Sequence, residues 1–216
     1  MSRRGRFITL EGGEGAGKST QAARSAEWLR SQGIDVLITR EPGGSPSAEA
    51  LRELLLSGSV APFGAEAEAL VFALARADHL ARTIRPALDR GAWVISDRFA
   101  DSTRAYQGAA GVAPAYMDRL DAVAIGETRP HLTLILDLPP RLGLERMRKR
   151  DRPVDRFEAD ELQAHEARRR IFLDIAARET HRCVLIDASR GEDEVAAAIR
   201  AAITERLIAA ATVEGR

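Results

Sequence analysis

Lysine is almost missing from this chain of 216 residues: two of its 32 basic residues, Lys18 and Lys149, are Lys and the other 30 are Arg. Cysteine is scarcer still. The single Cys183 excludes an intramolecular disulfide and any multi-cysteine zinc site, and its apolar neighbours Val184, Leu185 and Ile186 mark it as a packing residue. Net charge is absent too. With 32 acidic residues against 32 basic ones, no global field draws the chain to nucleic acid or to an anionic membrane, so any basic function has to be local. No stretch approaches the ~18 consecutive apolar residues of a membrane span. The basic residues 1–6 have no apolar segment of a signal peptide behind them. These absences predict a cytoplasmic protein with no membrane and no nucleic-acid partner.

What is present has a regular order. Short apolar runs at 7–11, 34–39, 93–96, 132–138 and 182–187 read as strands. Helical patterns lie between and after them at 18–32, 48–56, 65–90, 114–125, 141–150, 158–179 and 192–210. Gly33 stops the first helix, Ser57-Gly58 stops the second, and Pro86 should kink or divide the long third. The strands are apolar throughout rather than alternating, as in a parallel sheet covered on both faces. The expectation is one α/β domain over residues 1–216: a doubly wound, five-stranded parallel sheet with helices on both faces. Ligands would sit at the carboxyl ends of its strands.

Residues 12–19 read Gly12-Gly13-Glu14-Gly15-Ala16-Gly17-Lys18-Ser19, a complete G-x-x-x-x-G-K-[ST] phosphate-binding loop set between the first strand and the first helix. Its backbone N–H groups can wrap a β-phosphate while the helix directs its positive end at the anion. Lys18 would reach the β- and γ-phosphates, and the Ser19 hydroxyl would ligate Mg²⁺. One of only two lysines in the chain therefore stands where the motif needs it.

Four further segments follow strand ends. Thr39-Arg40-Glu41-Pro42-Gly43-Gly44 builds a tight turn, and Arg40 with Arg52 could grip a second phosphate. Phe72 and Arg76, at i and i+4, share a helix face; a ring can stack on a base and a guanidinium can donate to it, although by spacing alone the pair reads first as a core Phe beside a surface Arg. Asp97-Arg98 ends the third strand, where an acid can hold Mg²⁺ directly or through water. It leads into the run 101–108, dense in hydrogen-bonding groups, of which a polar loop with a helix cap would explain a part. Finally, residues 141–156 hold seven basic and three acidic side chains, split by Pro153, which suits a helix–loop–helix flap over a transferring phosphoryl group.

In that order the chain resembles the bacterial thymidylate kinases, over residues 7 to about 207. The resemblance rests on Glu11-Gly12 with 15–18, on 39–44, on Phe72 with Arg76, on Asp97-Arg98 with 105–108, on 134–137 and on Asp155-Arg156. It implies transfer of the ATP γ-phosphoryl group to dTMP, with Mg²⁺ held by Ser19 and Asp97, and a homodimer packed through long helices such as 65–90. It implies that Glu14 contacts the deoxyribose 3′-hydroxyl, Phe72 stacks on thymine and Arg76 donates to its O4. Arg98 and Arg52 would clamp the dTMP phosphate, Thr103 would lie near the base edge, and Tyr106 near C2′ would disfavour a ribose hydroxyl. The loop variables Gly13, Glu14, Gly15 and Ala16 include no basic residue, so the chain resembles members that carry the catalytic arginine in a lid, here about 141–157. Arg146, Arg148, Arg150, Arg152 and Arg156 are all candidates for it, Arg150 and Arg152 first. Phe99 departs from the Tyr or His common after the Asp-Arg pair.

Rivals are testable on the same residues. A sister kinase would differ only in its acceptor, and a partner-binding ATPase would need no acceptor. A GTPase needs [NT]-K-x-D, and the nearest match, Arg148-Lys149-Arg150-Asp151, has Arg at the first position.

Overall fold

The computed structural model of the protein describes residues 5–149, 157 and 160–209. Five parallel strands, β1 (Phe7–Gly12), β2 (Val36–Arg40), β3 (Trp93–Asp97), β4 (Leu132–Asp137) and β5 (Cys183–Asp187), form one sheet in the order β2-β3-β1-β4-β5. The expected doubly wound sheet is what forms. β1 lies at its centre, in register with β3 through Leu10↔Asp97 and with β4 through Gly12↔Leu136, so the phosphate loop leaves the sheet beside the end of β3.

The helices are α1 (Lys18–Ser31), α2 (Pro46–Leu56), α3 (Ala65–His79), α4 (Arg85–Asp89), α5 (Ala100–Ala109), α6 (Pro114–Ala124), α7 (Pro140–Arg148), α8 (Leu162–Arg178) and α9 (Glu192–Ile203). Successive strand residues point to opposite faces. Ile8, Leu10, Leu134 and Leu136 pack with Ala22, Ala26 and Leu29 of α1 and Ile199 and Ile203 of α9. On the other face Phe7 and Val94 meet Leu80, Ile84 and Leu88, while Ile135 meets Ala105, Tyr106 and Phe172. No helix among the described residues is long and apolar enough to cross a membrane.

Two local expectations are corrected, and a third is met in an unexpected form. The polar run 101–108 is helical, lying within α5, because one of its faces is buried against the sheet: Asp101, Thr103, Ala105, Tyr106 and Gln107 are all buried. The break expected at Pro86 is present, with α3 ending at His79 and α4 starting at Arg85. The five residues Leu80–Ile84 between α3 and α4 form a π-helical turn, and the wider i→i+5 spacing accommodates a residue with no N–H. The strands are not uniformly apolar. β1 buries Thr9 and Glu11 toward α5, and the edge strands β2 and β5 leave Ile38 and Leu185 partly exposed.

Candidate active site

The phosphate loop is shaped by its glycines. Gly12, Gly15 and Gly17 all take positive φ. Gly15 is also required by packing, since a Cβ there would collide with the Gly143 backbone of α7, and one on Gly143 would collide with the Glu14 carbonyl. No side chain caps the start of α1, so its first N–H groups stay available to an anion. Lys18 is buried beneath the loop and donates to the carbonyls of Gly12 (3.1 Å) and Gly13 (2.8 Å). Burial and the neighbouring Arg98 push its ammonium down to about 8, against the pull of Glu14, Asp97 and Glu11. Ser19 donates its hydroxyl to Asp97 Oδ2, bringing two hard oxygen donors together at the loop's mouth.

Arg98 stands at the centre of the cavity floor. It occupies the left-handed region (φ 70), and its carbonyl accepts from Ser96 Oγ at 2.7 Å. Its guanidinium donates to Glu14 (2.6 Å), Tyr106 Oη (3.0 Å), Ser102 Oγ (3.1 Å) and the Gly12 carbonyl (3.3 Å). Tyr106 also donates to Glu14. Burial works against the Glu14 carboxylate, yet Arg98, Lys18 and the Tyr106 hydroxyl together outweigh it and hold the group at about 2. Three residues earlier the balance reverses. Glu11 accepts from Phe99 N–H (2.7 Å) and Ser102 Oγ (2.6 Å), but burial and the nearby Asp101 raise its carboxyl to about 8. Glu11 thus ties β1 to the turn that aims Arg98.

The opposite wall comes from distant segments. Arg76 of α3 is only 2 % exposed, so the surface Arg suggested by spacing is in fact a buried one. Its Nε donates to Glu41 Oε2 (2.7 Å) and its Nη2 to Thr103 Oγ1 (2.9 Å), while Nη1 lies 3.7 Å from Asp121. Removing one partner from such a buried pair costs about 3–5 kcal/mol, so Arg76 and Glu41 depend on each other. Phe72 faces the same cavity one turn away, with its ring 6.2 Å from that of Phe157, which in turn sits edge-on to Tyr106 at 5.9 Å. Arg52 donates to the Pro42 carbonyl at 2.8 Å. Arg40 also lines the cavity but pairs with Glu49 at its exposed rim.

One cavity of about 430 Å³ joins these parts: Lys18, Ser19 and Asp97 on one side, Arg52, Phe72, Arg76 and Thr103 on the other, Glu14, Arg98 and Tyr106 between. Every predicted acceptor-site residue therefore faces one space with the loop. Glu41 and Gln107, which lie in segments picked out from sequence but were given no role of their own, also line it, as does Phe157. Glu41 could have been given one as an acid just past a strand end; Phe157 carries no such signal. Of the lid candidates, Arg150, Arg152 and Arg156 lie outside the described residues. Arg146 is directed elsewhere, to the carbonyls of Ala188 (3.0 Å) and Ser189 (3.5 Å) beyond β5.

Among the described residues no group of three or more His, Cys, Asp or Glu side chains converges as a metal cage. The Ser19–Asp97 pair nonetheless suits Mg²⁺, which takes one or two protein oxygens and completes its shell with phosphate and water.

A family model for thymidylate kinase matches residues 10–199. The chain is 51% identical over 210 residues to the thymidylate kinase of Bradyrhizobium sp. (strain ORS 278), covering 96% of this chain and 93% of that one. It is 52% identical over 209 residues to the thymidylate kinase of Rhodopseudomonas palustris (strain BisB18), covering 95% and 91%. The crystal structure of thymidylate kinase from Ehrlichia chaffeensis superposes with a TM-score of 0.75 at 31% identity, covering 93% of this chain and 99% of that one. A phosphate loop facing a Phe–Arg wall across one cavity, in a chain alike from end to end, leaves one assignment: the protein belongs to the thymidylate kinase family.

Proposed function

We propose that this chain transfers the γ-phosphoryl group of ATP to dTMP, giving dTDP and ADP on the route to dTTP. The observation that carries the reading is the single cavity in which a phosphate loop and a buried base-reading wall face each other.

In this reading residues 12–19 hold the ATP phosphates, with Lys18 on the β- and γ-oxygens. Mg²⁺, held by Ser19 and Asp97, would neutralise charge on the phosphates when bound. Phe72 stacks on thymine, Arg76 donates to its O4 and Thr103 flanks the base edge. Tyr106 crowds C2′, Glu14 takes the 3′-hydroxyl, and Arg98 with Arg52 holds the acceptor phosphate. A phosphate monoester has its second pKa near ~6, so the acceptor oxygen is already anionic and needs no strong base. The residues' work is to position two anions and offset their repulsion. Arg150 and Arg152, in a lid over about 141–157, would supply the remaining positive charge and exclude water. The lid belongs to one kinase domain spanning residues 1–216.

A homodimer through α3 completes the proposal. Leu70 and Leu74 lie four residues apart on that helix and are 51% and 58% exposed, an apolar stripe that a second copy would cover. The reading includes a cytoplasmic location and no nucleic-acid partner.

A coupled assay of ADP release tests the reaction, with dTMP, dUMP, dCMP, dGMP and thymidine offered in turn. ADP should appear only with an acceptor and fastest with dTMP. Release that ignores the acceptor would instead indicate a partner-driven ATPase.

A further inference from the structure

Arg76 does not stand alone in its wall. Glu41 accepts its Nε–H on one carboxylate oxygen and meets His79 Nδ1 on the other at 3.1 Å. His79 Nε2 lies 2.7 Å from Thr39 Oγ1. His79 is fully buried, and Glu41 and Arg76 nearly so. The chain of contacts therefore runs Thr39–His79–Glu41–Arg76–Thr103, from the end of β2 through α3 to α5. A neutral imidazole satisfies it at both nitrogens, with Nδ1–H donated to the Glu41 carboxylate and Nε2 accepting the Thr39 hydroxyl.

Space has been kept for this ring. A Cβ on Gly44 would collide with His79 Nε2 and Thr39 Oγ1. Gly44 is itself held in place, its N–H donating to Glu49 (2.9 Å) and its carbonyl accepting from Thr83 (2.7 Å). Glu41 and Arg76 line the cavity, whereas His79 and Thr39 do not. The hydrogen-bonded route from His79 to the cavity therefore runs through Glu41. A guanidinium on a flexible stem discriminates between acceptor and donor groups only when its plane is fixed by a supporting shell.

We propose that His79, acting through Glu41, is a positioning residue that sets the plane of Arg76 for recognition of the pyrimidine 4-position. The proposal rests on the reading of Arg76 as donor to O4 of thymine. It predicts discrimination against an aminopyrimidine, whose 4-position carries a donor where thymine has an acceptor.

The test compares His79→Ala, His79→Asn and Arg76→Ala for the KM of dTMP, the KM of ATP and the preference for dTMP over dCMP, with thermal unfolding in parallel. His79→Ala should raise the dTMP KM about tenfold, the scale of one misdirected charge-assisted hydrogen bond, lower the dTMP preference by a similar factor and leave the ATP KM alone. Asn, whose side-chain amide can stand where Nδ1 stood, should recover most of the loss. Equal increases in both KM values, or an Ala loss that Asn does not recover, would reduce His79 to packing and overturn the proposal. If Arg76→Ala leaves the base preference unchanged, the reading of Arg76 itself falls. If Arg76→Ala changes it and His79→Ala does not, only the positioning role falls. Should His79→Ala fail to fold, Thr39→Val removes the partner of Nε2 with little change in volume. It should shift the dTMP KM in the same direction by less, and no shift would overturn the proposal.

Discussion

The two walls of the cavity are built by different means. The phosphate-loop wall consists of eight consecutive residues and one helix start, and it offers main-chain N–H groups, one lysine and one hydroxyl. The acceptor wall is made of side chains from the turn after β2 and from α2, α3 and α5, joined by hydrogen bonds between residues such as Arg76 and Glu41, 35 positions apart. Anion recognition by backbone depends on glycine spacing. Base recognition depends on directed side chains, and each of those needs a buried partner to hold it. The difference implies that the loop wall should fail at a single group, whereas the acceptor wall should lose specificity before it loses turnover.

The largest expected effect is on the loop wall. Lys18→Ala should lower kcat by about 10²–10³-fold, the usual consequence of removing one charge that stabilises the transition state. Melting should change little, because among the described residues Lys18 donates to loop carbonyls and the folded state carries the cost of burying its ammonium. Near-normal turnover in the ADP-release assay would erase the contrast between the walls.

On the acceptor wall, Tyr106→Ala should narrow the preference for dTMP over the ribose form of TMP by about tenfold, because the proposed reading gives the ring rather than a charge the task of excluding the 2′-hydroxyl. Tyr106→Phe should keep that preference. The ring is held between Arg98 and Arg168, whose guanidinium carbons lie 5.0 and 4.3 Å from its centroid, and loss of the hydroxyl leaves both contacts in place. An unchanged ratio of deoxyribose to ribose turnover in Tyr106→Ala would contradict the steric role.

The smallest effect is on stability against pH, and here two carboxylates three residues apart, Glu11 at the end of β1 and Glu14 in the loop, should behave oppositely. Glu14, held at about 2 against an ordinary 4.5, adds stability that is complete above pH 4.5 and is lost as pH falls toward 2. Glu11, raised to about 8, binds a proton in the folded state that the unfolded chain releases near 4.5, so its contribution declines as pH rises from 4.5 to 8. Unfolding curves from pH 3 to 9 should show Glu11→Gln removing the decline on the alkaline side and Glu14→Gln the loss on the acid side. Parallel pH profiles for both variants and the unaltered protein would refute the opposition.

Most of the architecture was legible in sequence. Five apolar runs separated by helical patterns are enough to indicate a parallel sheet, because each strand buried on both faces must be short and hydrophobic. The helix Ala100–Ala109 was not legible. Its residues Asp101, Ser102, Thr103 and Arg104 favour caps and turns when read locally, and only burial against β1 and α8 makes a helix of them. The break at Pro86 was legible but its π-helical form was not, since that turn is set by packing of Leu80 and Ile84 into the core. Arg76 shows the limit most clearly. Spacing put it on the same helix face as Phe72, but a charged residue is buried only where partners are waiting, and those partners, Glu41 and Thr103, come from other segments.

By itself the sequence determined the phosphate loop, the order of the five strands and of the helices other than Ala100–Ala109, and which residue types were available to meet an acceptor. Those properties depend on neighbours in the chain, on a spacing of eight residues or on periods of two and 3.6. The tertiary structure alone decided that Glu14 pairs with Arg98 and Tyr106, that Ser19 meets Asp97, and that a histidine outside the cavity is linked through Glu41 to Arg76. Pairings of that kind span 35 to 92 positions. They form because folding brings charged groups out of water, and a buried charge persists only where another chain segment supplies its partner.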